Sequence, residues 1–488
     1  MSLTLAYEIA RGGLMANSTS TSVVSRNIAN VDNPNAARKS VSTIGTAMGV
    51  RLGTIGNAIS SSLLESVLAN TSKHGGLAAA TSALDRLASS ISDPALGLSP
   101  AGMLSQMQSA LYAAAAEPGN EVLLRQVVSV AGDVVSTLHS SATLVAQVRN
   151  EANSELADSV QKLQTMLGEF ERVNSSIVSG TMLGRDVTDE IDRRNMLLRG
   201  LSEMIDIHPT TRTNNDMVLF AANGTTLFET VPRTISFENI PLSPGQPGGR
   251  LTIDGVPFSG AAASQLGGKI GGLLQIRDDV AVSFGRQIDE IARGLIVAFA
   301  ESDQSAVPVA PTIAGLFTYA GGPGLPPAGV VADGLALSIR VNPNADPAQG
   351  GTLTRIRDGG IGDPGDPAYV YNAGGTAGFS DRLRDLAGML SQAQAFDPAA
   401  GLASSTSVLG LAQTSAGWLE GRRSEAHASL EDRQVLGARA LSAWQGQIGI
   451  NLDEEMTTLM SLERSYQASA RLMATVDQMF DALFRATG

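Results

Sequence analysis

Apolar positions at both ends of the chain repeat alternately three and four residues apart, which is the spacing of helices that pack along one face. The first seam predicts a helix that is interrupted at Gly12-Gly13 and ends in the Asn-rich segment 30–35. Its pattern is equally typical of an amphipathic helix on a globular core. The second seam predicts a final helix over 451–483. The seam positions are Leu3, Tyr7, Ala10, Leu14, Asn17, Thr21, Val24 and Ile28, and then Leu459, Leu462, Tyr466, Ser469, Met473, Val476, Phe480 and Leu483.

The longest periodic segment lies in residues 119–208, which contain no proline. If 121–178 form one helix, it is about 87 Å long at 1.5 Å per residue, and this length indicates a rod-like bundle rather than a compact enzyme. The same periodicity predicts further helices at 77–91, at 101–116, at 270–301 and from Pro398 to the end of the chain.

Two segments in the middle of the chain predict β-structure. In 204–265, apolar and polar residues alternate around Asn223-Gly224 and Asp254-Gly255, pairs that favour tight hairpins because they accept positive φ. Residues 303–372 are rich in proline and glycine, which predicts irregular structure with some strand. A helical core that begins and ends the chain places both termini at one end of the molecule. The two terminal helices are therefore expected to point the same way and to pair.

The predicted fold is mainly α with inserted β domains (α+β), with terminal coiled-coil helices, a long-helix bundle and β-rich insertions. Its expected domains are a terminal coiled-coil assembly domain (1–55 with 446–488), a helical bundle domain (56–203 with 266–302 and 373–445), a β-rich segment (204–265) and a Pro/Gly-rich, irregular, β-containing outer domain (303–372).

The composition narrows the classes of function. A net charge of −13 argues against nucleic-acid binding, which needs a basic surface. The absence of cysteine excludes disulfides and cysteine-based metal or nucleophile sites. The start, MSLTLAYEIARGG, has no basic region before an apolar core, and no apolar run approaches the roughly 18 residues of a membrane span. These tests alone predict a soluble, cytoplasmic protein with no membrane partner.

No set of residues predicts catalytic chemistry, a cofactor or a metal site. The four histidines are far apart in sequence, and a proline stands inside the G-x-G-x-x-G match at 360–365, where a phosphate-binding loop needs a helix to start. Asp453, Glu454 and Glu455 are consecutive, so they face different directions and suit the first turn of a helix better than an acid/base pair. The chain is therefore not expected to be an enzyme. A hydrolase with a helical body and an intracellular helical scaffold stay open as alternatives.

The two ends of the chain together resemble the bacterial flagellar rod, hook and hook-associated proteins. SRNIANVDNPNAARK (25–39) resembles the family signature, whose Asn-Ile-Ala-Asn core is Asn27, Ile28, Ala29 and Asn30 here. NLDEEMTTLMSLERSYQASARLMATVDQMFDAL (451–483) is similar to the family's last helix, and GGKIGGLLQIRDD (267–279) resembles an internal motif of its hook-associated members. The chain departs from the family at 33–36, where Asn-Pro-Asn-Ala stands in place of the usual Thr-Pro-Gly-Tyr.

The resemblance implies a structural protein of the bacterial flagellum at the hook–filament junction, exported by the type III route without a cleaved signal peptide and therefore extracellular. Its implied partners are copies of itself, the hook protein, a second junction protein on the flagellin side and an export chaperone on the C-terminal helix. Another axial protein of the hook or distal rod is the nearest alternative. The residues expected to form the subunit interface are Leu3, Tyr7, Leu14, Val24, Asn27, Ile28, Asn30, Leu459, Leu462, Tyr466, Met473, Val476, Phe480 and Leu483.

Overall fold

The computed structural model describes residues 3–46, 49–58, 60–89, 99–258 and 265–487. Its α-helices are α1 (Leu3–Ala29), α2 (Ser61–Ser89), α3 (Pro100–Ala116), α4 (Glu121–Met182), α5 (Thr188–Met204), α6 (Gly268–Gln275), α7 (Ala281–Ala298), α8 (Leu335–Ser338), α9 (Arg355–Asp358), α10 (Asp381–Met389), α11 (Val408–Ile448) and α12 (Leu452–Thr487). Its strands are β1 (Lys39–Thr46), β2 (Gly49–Asn57), β3 (Ile207–Thr211), β4 (Met217–Ala221), β5 (Thr226–Glu229), β6 (Val231–Pro232), β7 (Ile235–Phe237), β8 (Leu251–Ile253), β9 (Val256–Phe258), β10 (Phe317–Thr318), β11 (Arg340–Val341), β12 (Gln394–Ala395) and β13 (Ser405–Thr406). The prediction of a mainly α fold with inserted β elements is confirmed.

Helix α4 is the longest helix of the described residues. It runs unbroken for 62 residues, as its proline-free periodicity predicts, and one apolar face from Leu124 to Ile177 is buried. The Asn120 side chain caps its start by accepting a hydrogen bond from the Val122 N–H at 3.0 Å. Because α3, α5 and α7 all pack against this helix, one aliphatic core extends along most of its length.

Glycines let α2 and α6 approach closely. A side chain at Gly272 would overlap the Gly76 carbonyl, and a Cβ at Gly76 would lie 2.8 Å from the Gly268 carbonyl oxygen. Helix α11 packs along another part of α2, so α2 is enclosed between two helices. The backbone contact at these glycines therefore sets the position of α6 within the bundle.

The segment between α5 and α6 forms two antiparallel sheets, as predicted. One has the order β3-β4-β5-β6 and the other the order β7-β8-β9. The Asp254-Gly255 turn has positive φ at both residues (50° and 76°), whereas only Gly224 does in the Asn223-Gly224 turn. Phe228 on β5 meets Phe170 on α4 edge to face, with ring centroids 5.0 Å apart, and this contact attaches the first sheet to the bundle.

The single helix predicted for 270–301 is interrupted by a π-helical turn at Ile276–Val280, between α6 and α7. Arg149, buried on α4, donates from Nε to the Arg277 carbonyl at 3.1 Å. Arg277 in turn donates from Nη1 to the Asn153 side chain at 2.9 Å. The turn is supported from the side by α4, a tertiary contact that the periodicity of its own segment does not encode.

Two other segments differ from the sequence prediction. Strands β1 and β2, in segments 39–46 and 49–57 that carry no strand prediction, pair antiparallel, and we call them the β1-β2 hairpin. The chain is not helical directly after Pro398, because a 3₁₀ turn at Pro398–Ala400 and strand β13 come first and α11 begins at Val408, after the Ser407 cap. The helix predicted at 77–91 begins earlier than predicted, because α2 starts at Ser61; positions 90 and 91 lie outside the described residues.

Candidate assembly interface

The two terminal helices pair side by side and run in opposite directions. The Asn27 side chain on α1 donates a hydrogen bond to Glu455 on α12 at 3.0 Å, and the Asn17 side chain donates to Ser465 at 2.9 Å. Residue numbers therefore fall along α1 as they rise along α12. The prediction that the helices point the same way is therefore wrong, although the prediction that they pair is confirmed. Because α1 runs toward the bundle and α12 runs away from it, both chain ends lie at the far tip of an antiparallel pair.

The predicted interface residues differ in how far they are buried. Val24 and Asn27 on α1 and Val476 on α12 are buried. Tyr466 and Leu483 are 50% and 48% exposed. The half-buried members of the predicted set are Leu3, Tyr7, Leu14, Ile28, Asn30, Leu459, Leu462, Met473 and Phe480.

Helix α1 continues through Gly12-Gly13, where the sequence predicted an interruption. A Cβ at Gly12 would lie 3.2 Å from the Val50 carbonyl oxygen, and one at Gly13 would lie 3.4 Å from the Ser469 hydroxyl. The two glycines therefore allow strand β2 and helix α12 to approach α1 on different sides. Small residues serve close packing here, and the flanking turns maintain the helix.

Glu455 is the buried centre of a polar cluster at the base of the pair. Its side chain is 1% exposed and accepts hydrogen bonds from Asn27 Nδ2 at 3.0 Å and from Arg38 Nε at 2.6 Å. Asn27 also donates to the Lys39 carbonyl and accepts from the Lys39 N–H. One asparagine of the Asn-Ile-Ala-Asn motif thus joins α1, the start of β1 and the first turn of α12.

A second polar cluster joins the base of the pair to α5 of the bundle. The buried Lys39 ammonium pairs with Asp189, and it lies 3.5 Å from Asp192. Asp192 also accepts from Asn57 Nδ2 at 2.8 Å. Burial raises the pKa of Asp192 to about 6, while the Lys39 charge acts in the opposite direction. Arg26 adds a 2.6 Å contact with Asp186 on the loop before α5.

A small apolar cluster completes this attachment. Trp444 and Ile448 at the end of α11 pack with Ala37 and Val67, and all four side chains are buried. The Arg38 N–H also donates to the Ile448 carbonyl at 2.7 Å. The base of the terminal pair is therefore fixed to the bundle by both apolar and polar contacts.

Away from the base, helix α12 is shallowly packed. Of its side chains that the structure describes, only Glu455 and Val476 are fully buried. An outer stripe of Leu452, Met456 and Met460, four residues apart, is exposed on the side away from the seam. A cleft of about 600 Å³ lies between α1, the β1-β2 hairpin and α12. The pair thus leaves substantial apolar surface uncovered in a single chain.

Sequence reasoning did not find Glu455, Arg38 or Lys39 as interface residues. Glu455 was correctly placed in the first turn of the last helix, but its burial depends on Asn27, which lies 428 residues away in sequence. The hairpin carried a usable signal, because the β-branched residues Val41, Thr43 and Ile44 favour a strand.

The described residues contain no group of three or more His, Asp or Glu side chains that could hold a metal ion. Among the same residues, no helix combines the length and apolar character needed to cross a membrane.

Comparisons with known proteins connect this geometry to a family. Residues 84–310 match the family described as "Flagellar hook-associated protein FlgK helical domain". Residues 447–486, which include all of α12 except its last residue, match the family "Flagellar basal body rod FlgEFG protein C-terminal". A comparison with curated protein sequences finds no match.

A solved structure has the same fold. The flagellar hook junction protein FlgK from Burkholderia pseudomallei superposes with a TM-score of 0.60 at 13% sequence identity, over 78% of this chain and 99% of that one. The family matches cover α3 to α7 with the two sheets between α5 and α6, and nearly all of α12, and the fold agrees along most of the chain. The chain is therefore similar to the flagellar hook-associated proteins of the FlgK type in its helical domain and its overall fold, and to flagellar rod proteins in its last helix.

Proposed function

We propose that this protein is a structural subunit of the flagellar hook–filament junction and that it polymerises through α1 and α12. The observation that carries the proposal is the incomplete burial of the terminal pair. A helix depends on packing of its apolar face for most of its stability in a protein. Because α12 buries only two described side chains fully within its own chain, neighbouring subunits are the natural source of the remaining contacts.

Covering the outer stripe by a neighbouring subunit would stabilise the assembly. Complete burial of a Leu or Met side chain contributes about 1.5–3 kcal/mol. Leu452, Met456 and Met460 are already about half buried, so covering all three contributes roughly 3 kcal/mol for each subunit added. If this contact joins two different surfaces of identical subunits, its repetition from subunit to subunit builds a helical array.

We infer the partners and the export route from the similarity to flagellar hook-associated proteins. The hook protein lies on one side of the subunit ring, and a second junction protein and flagellin lie on the other. An export chaperone covers α12 before secretion, and the chain passes unfolded through the flagellar type III channel without a cleaved signal peptide. The absence of cysteine is compatible with this route, because no disulfide can form during transit. The protein's work is structural and involves no catalysis.

The proposed interface is tested by placing a charge on it. Met460→Asp and Tyr466→Asp should prevent junction assembly and abolish motility, while the thermal melting of the helical body stays unchanged, because neither side chain is in the bundle core. Ser461→Asp, at an exposed polar residue next in sequence to Met460, is the matched control and should retain motility. Full motility of the Met460 and Tyr466 variants contradicts the proposal.

The position of the protein within the flagellum distinguishes a junction subunit from a subunit of the hook or the distal rod. Gold-labelled antibody on sheared flagella should mark a narrow band between hook and filament. Labelling along the whole hook, or within the rod, identifies the protein as a hook or distal rod subunit. Retention of all the protein in the cytoplasm of flagellated cells instead indicates an intracellular scaffold.

A further inference from the structure

The loop at 306–310, which we call the apolar knob, presents two valines to solvent. Val307 and Val309 are 75% and 88% exposed, in the sequence Ala-Val-Pro-Val-Ala. Valine side chains this exposed are costly in water, and an exposed apolar feature commonly marks an interaction site.

The knob is held in a fixed shape. The Asp303 carboxylate accepts hydrogen bonds from the Val309 and Ala310 N–H groups at 2.7 and 2.8 Å. On the other side of the loop, the Tyr369 hydroxyl donates to the Pro311 carbonyl at 2.6 Å. A loop that is already ordered pays little conformational entropy on binding, so its exposed valines are suited to insertion into a partner.

A cavity of about 430 Å³ lies between α4, the first half of α7 and the segment 242–250. Its size lies in the range of pockets that enclose small ligands or a few side chains. Its apolar lining includes Val145, Leu242, Phe258, Ala281, Val282 and Leu337. The cavity is open to solvent on one side, and we call it the apolar cavity.

The knob cannot fill the cavity of its own chain. The cavity is lined by residues from Ala281 to Asp289, whereas the base of the knob is fixed beyond the other end of α7 by the Glu301–Ile313 bridge. From Gly285 to Ala298 the helix rises about 20 Å. Two complementary features at opposite ends of one helix favour a contact between copies that repeats in one direction.

The charges around the two features are complementary. Asp303 lies beside the knob, where its carboxylate accepts hydrogen bonds from the Val309 and Ala310 N–H groups. Arg250 and Arg286 line the cavity. Arg286 has Asp333 at 3.6 Å, while Arg250 is exposed and has no ion pair among the described residues. The cavity also contains Asp278 and Asp289, but Asp278 pairs with Arg277 and Asp289 accepts from the Gly334 and Ala336 N–H groups.

We propose that the apolar knob of one subunit inserts into the apolar cavity of a neighbouring copy, so that the outer parts of adjacent subunits are connected by a contact separate from the terminal helices. The inference rests on the proposed function, since it needs copies of this chain to be neighbours in the junction. Arg250 would then face the acidic flank of the inserted knob.

Cross-linking in assembled flagella tests this contact, because the natural chain has no cysteine to interfere. Cells that lack their own copy express the double variant Val282→Cys/Val309→Cys. The sheared flagella are oxidised with copper–phenanthroline and run on a non-reducing denaturing gel. The control is Val122→Cys/Val309→Cys, which pairs the knob with an exposed valine at the start of α4. We expect a ladder of covalent oligomers from the first variant and monomers from the control.

The amount of a charged variant found in flagella provides a second test, which remains informative if the double-cysteine variant does not assemble. Val309→Asp should reduce the amount of subunit in sheared flagella by about tenfold or more, the loss expected for one buried valine, while Val122→Asp should leave it unchanged. Normal incorporation of Val309→Asp, or monomers only from assembled Val282→Cys/Val309→Cys flagella, overturns the knob contact and leaves the proposed function intact. Absence of the unaltered subunit from flagella overturns the proposed function itself.

Discussion

Replacing Glu455 with alanine should loosen the base of the terminal pair without unfolding the bundle. The substitution removes a buried carboxylate that accepts hydrogen bonds from Asn27 and Arg38. Each hydrogen bond to a charged group contributes about 1.5–3 kcal/mol. The Arg38 side chain is 39% exposed, so water can replace the bond that it loses. The buried Asn27 amide keeps its bond to the Lys39 carbonyl, but its second N–H loses its acceptor. We therefore expect a loss of about 2–3 kcal/mol in the local unfolding free energy of the base.

Hydrogen exchange followed by mass spectrometry measures this loss directly. Peptides covering the last turns of α1 and strand β1 should exchange about 30–150 times faster in Glu455→Ala, and peptides from α4 should be unchanged. Glu454→Ala is the control, because that carboxylate is exposed and lies 3.7 Å from Arg38, a surface contact worth less than about 1 kcal/mol. Equal exchange in Glu455→Ala and Glu454→Ala would refute the role assigned to the buried carboxylate.

Three further predictions concern the attachment and the bundle. Burial raises the pKa of Asp192 to about 6 in the folded chain from an ordinary value of 3.8. Its contribution to stability is therefore full below pH 3.8 and is lost as the pH rises through 6. Chemical denaturation should show that the unfolding free energy falls less between pH 4 and 6 in Asp192→Asn than in the natural chain. Gly272→Ala should destabilise the bundle by about 1–3 kcal/mol because the new methyl overlaps the Gly76 carbonyl, while Gly132→Ala, which meets nothing within 4 Å, should stabilise it by about 0.5–1 kcal/mol; thermal melts of both variants check this. A chain truncated after Gly449 should remain folded and soluble but fail to join hook to filament. Truncation after Gln445 should also lower the melting temperature, because it removes the buried Ile448. An unchanged melting temperature for the shorter chain would contradict the stabilising role of the cluster around Trp444.

The sequence predicted those elements whose periodicity is long or whose turn chemistry is specific. Helix α4 could be predicted because its apolar face repeats for many turns without proline. The Asp254-Gly255 hairpin could be predicted because both residues need positive φ. In each case the information lies within one segment of the chain.

The missed features depend on residues that are distant in sequence. The π-turn at Ile276–Val280 is supported by Arg149, and the burial of Glu455 depends on Asn27 and Arg38. The direction of α12 relative to α1 follows from where the bundle places the end of α11. Spacing alone identifies a seam but not whether its two helices run parallel or antiparallel.

The central claim is that the distal part of the terminal pair becomes stable only when neighbouring subunits cover it. Hydrogen exchange of residues 466–487 should be measured in the free subunit and in sheared flagella. We expect rapid exchange in the free subunit and exchange at least about ten times slower after assembly, because coverage by neighbours stabilises the helix. Equal, strong protection in both states would show that α12 is stable within one chain and would contradict the proposed role of neighbouring subunits.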